Sequence, residues 1–458
     1  MPSAPPIGLP SAPPIRPDEQ EWHRLHPLSA VVRASRTAWV VVLGLVLDFS
    51  SRSRNVHTDV ITGIILIVIV AGLGVISWAV TQWRIEGDVL RIDSGLIRRD
   101  SERLPLSQIQ AVDLVAPGMA RALGLAELRV RMAGNAQKAG RLSYLPVADA
   151  EQLRARFMAL AHGVHEDTPP PPETPLLQVR TGALVASLIL GPSGAVIALL
   201  VIAVVVLVTV APSAIGAVFA AGGAGIIGLL TSMWRRFNSG YRLTVAEAAD
   251  GLRMRSGLVQ TTAETIPFGR IQAVRLAEPL LWRPFGWCRV MVDVAGRQRQ
   301  GRENQSEGHS LRHVLPVGTA EEAAWLLHRL VPDAPTDRHP APPRVRWKSP
   351  LRYHHLGWAA NERCAVTTSG RVRRVTDWVP LAKVQSIRRV DGPLQRALNL
   401  ASIHLDTAGR GIDATIRDRD AGECDEIMRR LPDACRSARR ADAAAPRRVR
   451  RRRRSAPE

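Results

Sequence analysis

Residues 256–286 read SGLVQTTAETIPFGRIQAVRLAEPLLWRPFG. The same grammar recurs upstream at 94–124 (SGLIRRDSERLPLSQIQAVDLVAPGMARALG) and downstream at 369–399 (SGRVRRVTDWVPLAKVQSIRRVDGPLQRALN). Ten residues after Gly95, Gly257 and Gly370 stand Pro105, Pro267 and Pro380, each behind an apolar residue (Leu104, Ile266, Val379). Four and five residues later come Ile109-Gln110, Ile271-Gln272 and Val384-Gln385, and fourteen beyond each glutamine lies Gly124, Gly286 or Asn399. The offsets hold without a gap across 29 residues in all three places, so the chain carries three copies of one unit.

The unit has readable parts. Val89–Ile92 and Ile109–Leu114 alternate apolar and polar, the period of strands with one buried face. The three Ser-Gly steps are tight turns that need a residue tolerant of positive φ. Asn399 suits the left-handed role of Gly124 and Gly286. A strand follows each of these (Leu128–Arg131, Arg289–Val292, Ser402–Leu405), and a helical pattern closes each copy at Ala148–Ala161, Thr319–Leu330 and Ala421–Leu431. Short antiparallel strands capped by one amphipathic helix make an α+β unit of about 80 residues.

Apolar residues outside the copies are concentrated. Val60 to Trp83 holds 24 residues without a charge, and Thr181 to Trp234 holds 54. A bilayer crossing needs about 20 such residues, so the first run spans once and the second twice, with its break at Ala211-Pro212-Ser213. Thr37–Phe49 is a shorter segment whose one charge is Asp48; Trp39, Arg33, Arg36 and Arg52 flank it as interfacial anchors. The expectation is four transmembrane helices in two outward-dipping hairpins, because the arginine-rich segments belong on the cytoplasmic side. That makes a multi-pass plasma-membrane protein with both termini and the repeated units cytoplasmic. The N-terminal segment does not read as a cleavable signal peptide.

The chain of 458 residues has a net charge of +20, carried by arginine with only three lysines (Lys138, Lys348, Lys383). Its 46% apolar content excludes a disordered polyelectrolyte, and four cysteines exclude a disulfide-built scaffold.

The SG[LI] turn, the [LI]P-x3-IQ-x-V step and the bulky-Gly step before a terminal helix resemble the type-2 bacterial pleckstrin-homology (PH) domain. Copies interspersed with paired membrane helices are similar to the YdbS/YdbT-like membrane proteins of bacteria. The resemblance covers about 37–435. It implies three PH-like β-sandwich or partly open barrel domains, each of two orthogonal sheets closed by a C-terminal helix. It also implies, loosely, a part in envelope stress or antimicrobial resistance. Copy three departs from the pattern at Arg371 and Asn399, and no helical hairpin precedes it.

The expected partition is a disordered 1–35, hairpin 36–83, PH-like domain 84–165 and linker 166–180. There follow hairpin 181–235, PH-like domain 236–331, linker 332–350, PH-like domain 351–435 and a basic disordered tail 436–458. The repeat signature (Gly95, Pro105, Gln110, Gly124; Gly257, Pro267, Gln272, Gly286; Gly370, Pro380, Gln385, Asn399) reads as structural.

Chemical motifs are few. Gly223, Gly225 and Gly228 spell G-x-G-x-x-G inside an apolar run, where small residues serve helix packing. Cys288, Cys364, Cys424 and Cys435 lack ligand spacing. His309, His313, His354 and His355 read as solvated. No nucleophile, paired-carboxylate or phosphate-loop pattern stands out, so a non-enzyme without cofactor or metal is expected. Arg447, Arg448, Arg450, Arg451, Arg452, Arg453 and Arg454 form the densest charge run, suited to anionic headgroups. A solvated tail without a dedicated partner is the next reading, and nucleic acid comes last, because no aromatic residues interleave the run. The expected partners are membrane lipids, with protein partners or further copies of the chain. The function expected is lipid or partner binding on a membrane-anchored scaffold. The alternative is a transporter or channel component with regulatory PH-like domains, for which the single intramembrane charge, Asp48, is thin provision.

Overall fold

The computed structural model describes residues 22–29, 32, 56–86, 89–95, 100–105, 109–132, 140–161, 173–210, 215–248, 251–295, 311–409 and 411–444. Thr37–Phe49, His309 and Arg447–Arg454 lie outside the described residues. The chain forms two compact units, Met1–Pro170 with Val259–Glu264, and Pro171–Leu258 with Thr265–Glu458.

The first unit holds β1 (His23–Arg24), α1 (Val56–Val80), β2 (Gln82–Glu86), β3 (Val89–Ser94) and β4 (Asp100–Pro105), then β5 (Ile109–Ala116), β6 (Leu125–Met132), β7 (Gly140–Pro146) and α2 (Val147–Ala161). β1 to β4 form one antiparallel sheet in sequence order. β5, β6 and β7 pair in sequence order as well. Leu90 and Leu104 from the first sheet meet Val112, Leu128, Val130 and Leu142 from the second, and Phe157 of α2 closes the core between them. The outer edge of β5 is occupied by a piece of the second copy: Thr261, Thr262 and Ala263 pair with Ala116, Val115 and Leu114.

Two residues within the expected disordered N-terminus are in fact a strand. His23 and Arg24 pair with Trp83 and Gln82. The Arg84 guanidinium lies 4.3 Å from the Trp22 ring centroid, and Trp78 Nε1 donates to the Leu25 carbonyl at 2.8 Å. Trp22 and His23 give this segment aromatic anchors that the preceding proline-rich sequence lacks.

The second unit begins with β8 (Thr174–Gln178), α3 (Thr181–Ile189), α4 (Pro192–Val210), α5 (Ile215–Gly240), β9 (Thr244–Ala248), β10 (Gly251–Ser256) and the end of β11 (Thr261–Ile266). It continues with β12 (Ile271–Pro279), β13 (Trp287–Val294), β14 (Leu311–Thr319) and α6 (Ala320–Leu330). The third copy is β15 (His339–Pro340), β16 (Gly357–Ala360), β17 (Cys364–Ser369), β18 (Arg373–Pro380), β19 (Val384–Val390), β20 (Leu400–Thr407), β21 (Ala414–Asp420) and α7 (Ala421–Ala444).

β8 pairs with β9, and β15 with β16. The stretches expected as linkers, 166–180 and 332–350, therefore contain the first strands of copies two and three. The apolar helices of copies one and two are insertions between a first and a second strand, not connections between domains. In copy three the same place holds the short helix Val345–Lys348 and a single turn at Tyr353–His355.

The long apolar stretch is cut once more than expected. Pro192 opens α4 after the bend at Leu190-Gly191, since proline suits the first helical position and lacks the donor a continuing helix needs. Among the described residues no single helix is long and apolar enough to cross a membrane; Thr181–Ile189 and Pro192–Val206 together reach the needed length and composition, with a bend of 53° between them. The expected end of structure near Cys435 is also corrected, because α7 runs on to Ala444. Its last turns are held by Arg439 Nη1 donating to the Val384 carbonyl at 3.3 Å and by Lys383 with Asp442 at 3.2 Å.

The second sheet of copy two runs directly into the first sheet of copy three, in the order β14-β13-β12-β18-β17-β16-β15. Arg275 on β12 grips Asp377 on β18 with both nitrogens, at 2.6 and 2.8 Å. The fully buried Asp293 carboxylate accepts from the amides of Gly411 and Ile412 at 3.0 and 3.1 Å. β19, β20 and β21 form the remaining sheet, closed by α7 through Ile427, Leu431 and Cys435.

The repeat signature has a common backbone job. Gly124, Gly286 and Asn399 adopt φ of 68°, 63° and 54°. Their carbonyls accept from Val147, Ala320 and Ala421, the first residues of the three closing helices, at 3.0, 3.1 and 3.1 Å. The left-handed step turns the chain so that one carbonyl starts each helix.

Candidate anion-binding tip

Between Pro279 and Gly286 the chain makes a single helical turn, Leu280–Phe285. Trp282 points inward and is fully buried in the core of copy two. That choice turns its neighbours outward: Leu280, Leu281 and Phe285 are 50%, 52% and 56% exposed. The Ser-Gly turn of copy three lies against them and adds Val372, 70% exposed. Two hydrogen bonds clip the turns together, Leu280 N to the Val372 carbonyl at 2.8 Å and Arg283 Nη2 to the Arg371 carbonyl at 2.6 Å. Such a cluster of large apolar side chains in water marks a surface that meets something else.

Cations gather around it. Arg289 on β13 donates Nε to the Pro316 carbonyl at 3.0 Å and lies 4.9 Å from the Trp282 ring centroid. Burial, then the fields of Arg373 and Arg236, lower its pKa to about 10. His313 keeps an exposed side chain on β14, yet the protein packed around it holds its pKa below the ordinary imidazole value. Arg289, Arg236, Arg312 and Arg373 add to that depression in turn. His355 is lowered by desolvation and then by Arg374, Arg283, Arg371 and His354. Each of these bases thus reports arginine charges converging on one side of the unit.

The tip adjoins the foot of an apolar helix. Arg236 belongs to the last turns of α5. Leu258 N donates to Asn238 Oδ1 at 3.1 Å and Gly257 N to the Tyr241 carbonyl at 3.0 Å, which ties the Ser-Gly turn of copy two to the end of that helix. Apolar side chains ringed by arginines, beside a helix that is apolar along most of its length, suit an anionic surface with an apolar interior.

The signature residues frame this tip and do not form it. Gly286 ends the turn, Gly257 and Gly370 open the neighbouring turns with φ of 119° and 93°, and Gly95 has φ of 99° in copy one. Gln110, Gln272 and Gln385 are the second residues of β5, β12 and β19, while Pro105 and Pro380 end β4 and β18 and Pro267 follows β11. Gln272 is buried and donates to the Arg270 carbonyl at 3.2 Å, whereas Gln385 is exposed. Leu280–Phe285 was not singled out in the sequence; its only signal is two leucines and a phenylalanine packed between Pro279 and Gly286.

Little else in the described residues offers chemistry. All four cysteines are buried and unpaired, and burial pushes the Cys288 and Cys364 thiols up to about 12. No group of three or more metal-ligating side chains forms among the described residues. A small cleft of about 170 Å³ beside β17, β18 and β21 is lined by Arg275, Asp377, Asp413 and Arg417; Arg275 and Asp377 pair with each other, and Asp413 bonds His404 and Thr415. Gly225 and Gly228 lie in α5, with no strand before them as a dinucleotide site requires.

The geometry defines a class: tandem β-sandwich modules, each closed by a C-terminal helix and each with its first connection open to insertion. The chain belongs to the bacterial PH domain family, whose sequence pattern matches residues 38–161, 184–331 and 343–434. It is similar to the UPF0699 transmembrane protein YdbT of Bacillus subtilis (strain 168), 23% identical over 351 residues that cover 68% of this chain and 69% of that protein. No solved structure matches the chain.

Proposed function

We propose that this is a non-catalytic membrane protein whose PH domains lie on the cytoplasmic face and whose arginine-ringed tip holds anionic lipid headgroups. The expected membrane segments are the apolar stretches Thr37–Phe49, Val60–Trp83 and Thr181–Trp234, the last crossing twice. The relative's description as a transmembrane protein supports the membrane reading. One observation carries the lipid reading: Leu280, Leu281, Phe285 and Val372 stand exposed beside Arg283, Arg371 and Arg373. Each cation close to an anionic surface contributes about 1 kcal/mol, within a Debye length of about 8 Å at physiological salt. The basic run Arg447–Arg454 adds a second, sequence-level attraction of the same sign.

The test uses full-length protein in nanodiscs of phosphatidylglycerol or of phosphatidylcholine, followed by amide hydrogen exchange. Residues 280–286 and 369–373 are expected to exchange more slowly in the anionic discs alone. Arg283→Glu/Arg371→Glu is expected to abolish the difference. Equal exchange in both discs overturns the headgroup assignment.

A further inference from the structure

Each PH copy presents one sheet edge that another copy can extend, and the chain uses this twice internally. β5 of copy one takes Thr261–Ala263 of copy two. β12 of copy two takes β18 of copy three. The register is the same in both. Ala116 and Glu278 lie six residues after Gln110 and Gln272; their partners Thr261 and Arg374 lie six residues before Pro267 and Pro380. The junction is therefore a property of the module.

Among the described residues two such edges have no partner strand. β19, the counterpart of β5 and β12, ends its sheet, and β4, the counterpart of β11 and β18, ends the first sheet of copy one. The part of β19 that would pair is open: Arg388, Arg389 and Val390 are exposed. α7 runs along the strand: Arg439 reaches the Val384 carbonyl at one end and Asp425 pairs with Arg389 at the other, as α2 packs along β5 without barring its edge. An exposed strand edge is a ready template for another strand.

Charge matches as well as shape. Three residues after Gln272 stands Arg275, and three before Pro380 stands Asp377, the ion pair that locks the second junction. Counted the same way, β19 presents Arg388 and β4 presents Glu102. The first junction has Asp113 and Glu264 at these positions, so the opposite-charge pair distinguishes the second junction and the two free edges.

We propose that β19 of one chain takes β4 of a second copy in the register of the internal junctions, setting Arg388 against Glu102 and joining chains head to tail. Because the two surfaces differ, the contact is heterologous and continues into an open row or a closed ring. This stands independently of what the tip binds.

Cysteine pairing tests it in the full-length chain, in native membranes, against a background of four buried native thiols. Two differently tagged variants, Arg388→Cys and Glu102→Cys, are expected to form a reducible mixed dimer on mild oxidation when co-expressed. The chain carrying both substitutions should give a ladder of dimers, trimers and longer species. Absence of the mixed dimer overturns the proposal, as does an Arg388→Cys dimer as abundant as the mixed one, which would indicate two β19 edges face to face. Charge reversal supplies a second reading: Arg388→Glu alone should lose self-association on native gels, and co-expression with Glu102→Arg should restore it. Unchanged association of Arg388→Glu counts against the pairing.

Discussion

Arg275 and Arg388 occupy the same position of the repeat, three residues after the signature glutamine, yet their surroundings differ. Arg275 reaches forward into the next copy and grips Asp377, whose side chain is 6% exposed. Arg388, on a strand that ends its sheet among the described residues, turns to Asp406 on its own neighbouring strand, bonding it at 2.6 and 3.0 Å from a side chain left 59% exposed. One sequence position thus serves two ends according to whether a sheet edge is covered. The difference teaches that the energetic worth of the arginine lies in the junction and not in the module.

The largest effect follows from breaking the covered pair. Asp377→Ala leaves Arg275 inside the junction without its counter-charge, and stranding one member of a buried pair costs about 3–5 kcal/mol. The expected result is a marked fall in the thermal midpoint of detergent-solubilised protein and new proteolysis between copies two and three. Replacing both members, Arg275→Met with Asp377→Leu, should recover most of the loss, because the desolvation cost of two charges disappears with them. A double variant as unstable as Asp377→Ala would mean that the junction needs the ion pair itself.

How much of this was legible beforehand depends on distance along the chain. The turns, the left-handed Asn399 and the closing helices were readable because each is fixed by residues within a few positions. The first strands were not: β1 and β15 are two residues each, and their partners lie beyond an inserted helix or loop, so no alternation can announce them. The tip was hidden for a different reason. Leu280-Leu281-Trp282 spells core, and only the inward turn of Trp282 decides that the leucines face water. α7 looked finished at Leu431 because its continuation is arginine-rich, but Ala438 is buried and Arg439 and Asp442 find partners on and beside β19.

A second contrast lies in how the closing helices begin. α6 carries a capping box: Thr319 Oγ1 accepts from Glu322 N at 3.2 Å and Glu322 Oε2 accepts from Thr319 N at 2.9 Å. α7 begins instead with Arg419 bonded to Glu423 at 2.8 and 2.9 Å, a charged clamp that also holds the His339 carbonyl at 3.2 Å. Thr319→Ala should cost about 1 kcal/mol, the usual worth of a hydroxyl cap. Thr319→Ser should cost less, since serine keeps the acceptor. Both read out as shifts of the thermal midpoint at constant pH, well below the shift from Asp377→Ala.

The smallest effect belongs to the uncovered pair, and pH reveals it. Arg388, with Ser386, donates to the Asp406 carboxylate and holds its pKa at about 2, below the ordinary 3.8. A depressed folded-state pKa means that the contribution is fully present above the unfolded value and is lost as pH falls from about 4 towards about 2. Because both side chains meet solvent, water screens the pair and the contribution is the smallest of those compared. Comparing wild type with Asp406→Asn across that interval, the stability difference should shrink as acid titrates the wild-type carboxylate. In chains joined through β19, Arg388 has a second carboxylate opposite it and less water around it, so the same comparison should give a larger difference under conditions that favour self-association. An identical difference in associated and dispersed protein would mean that Arg388 stays at an open edge in both.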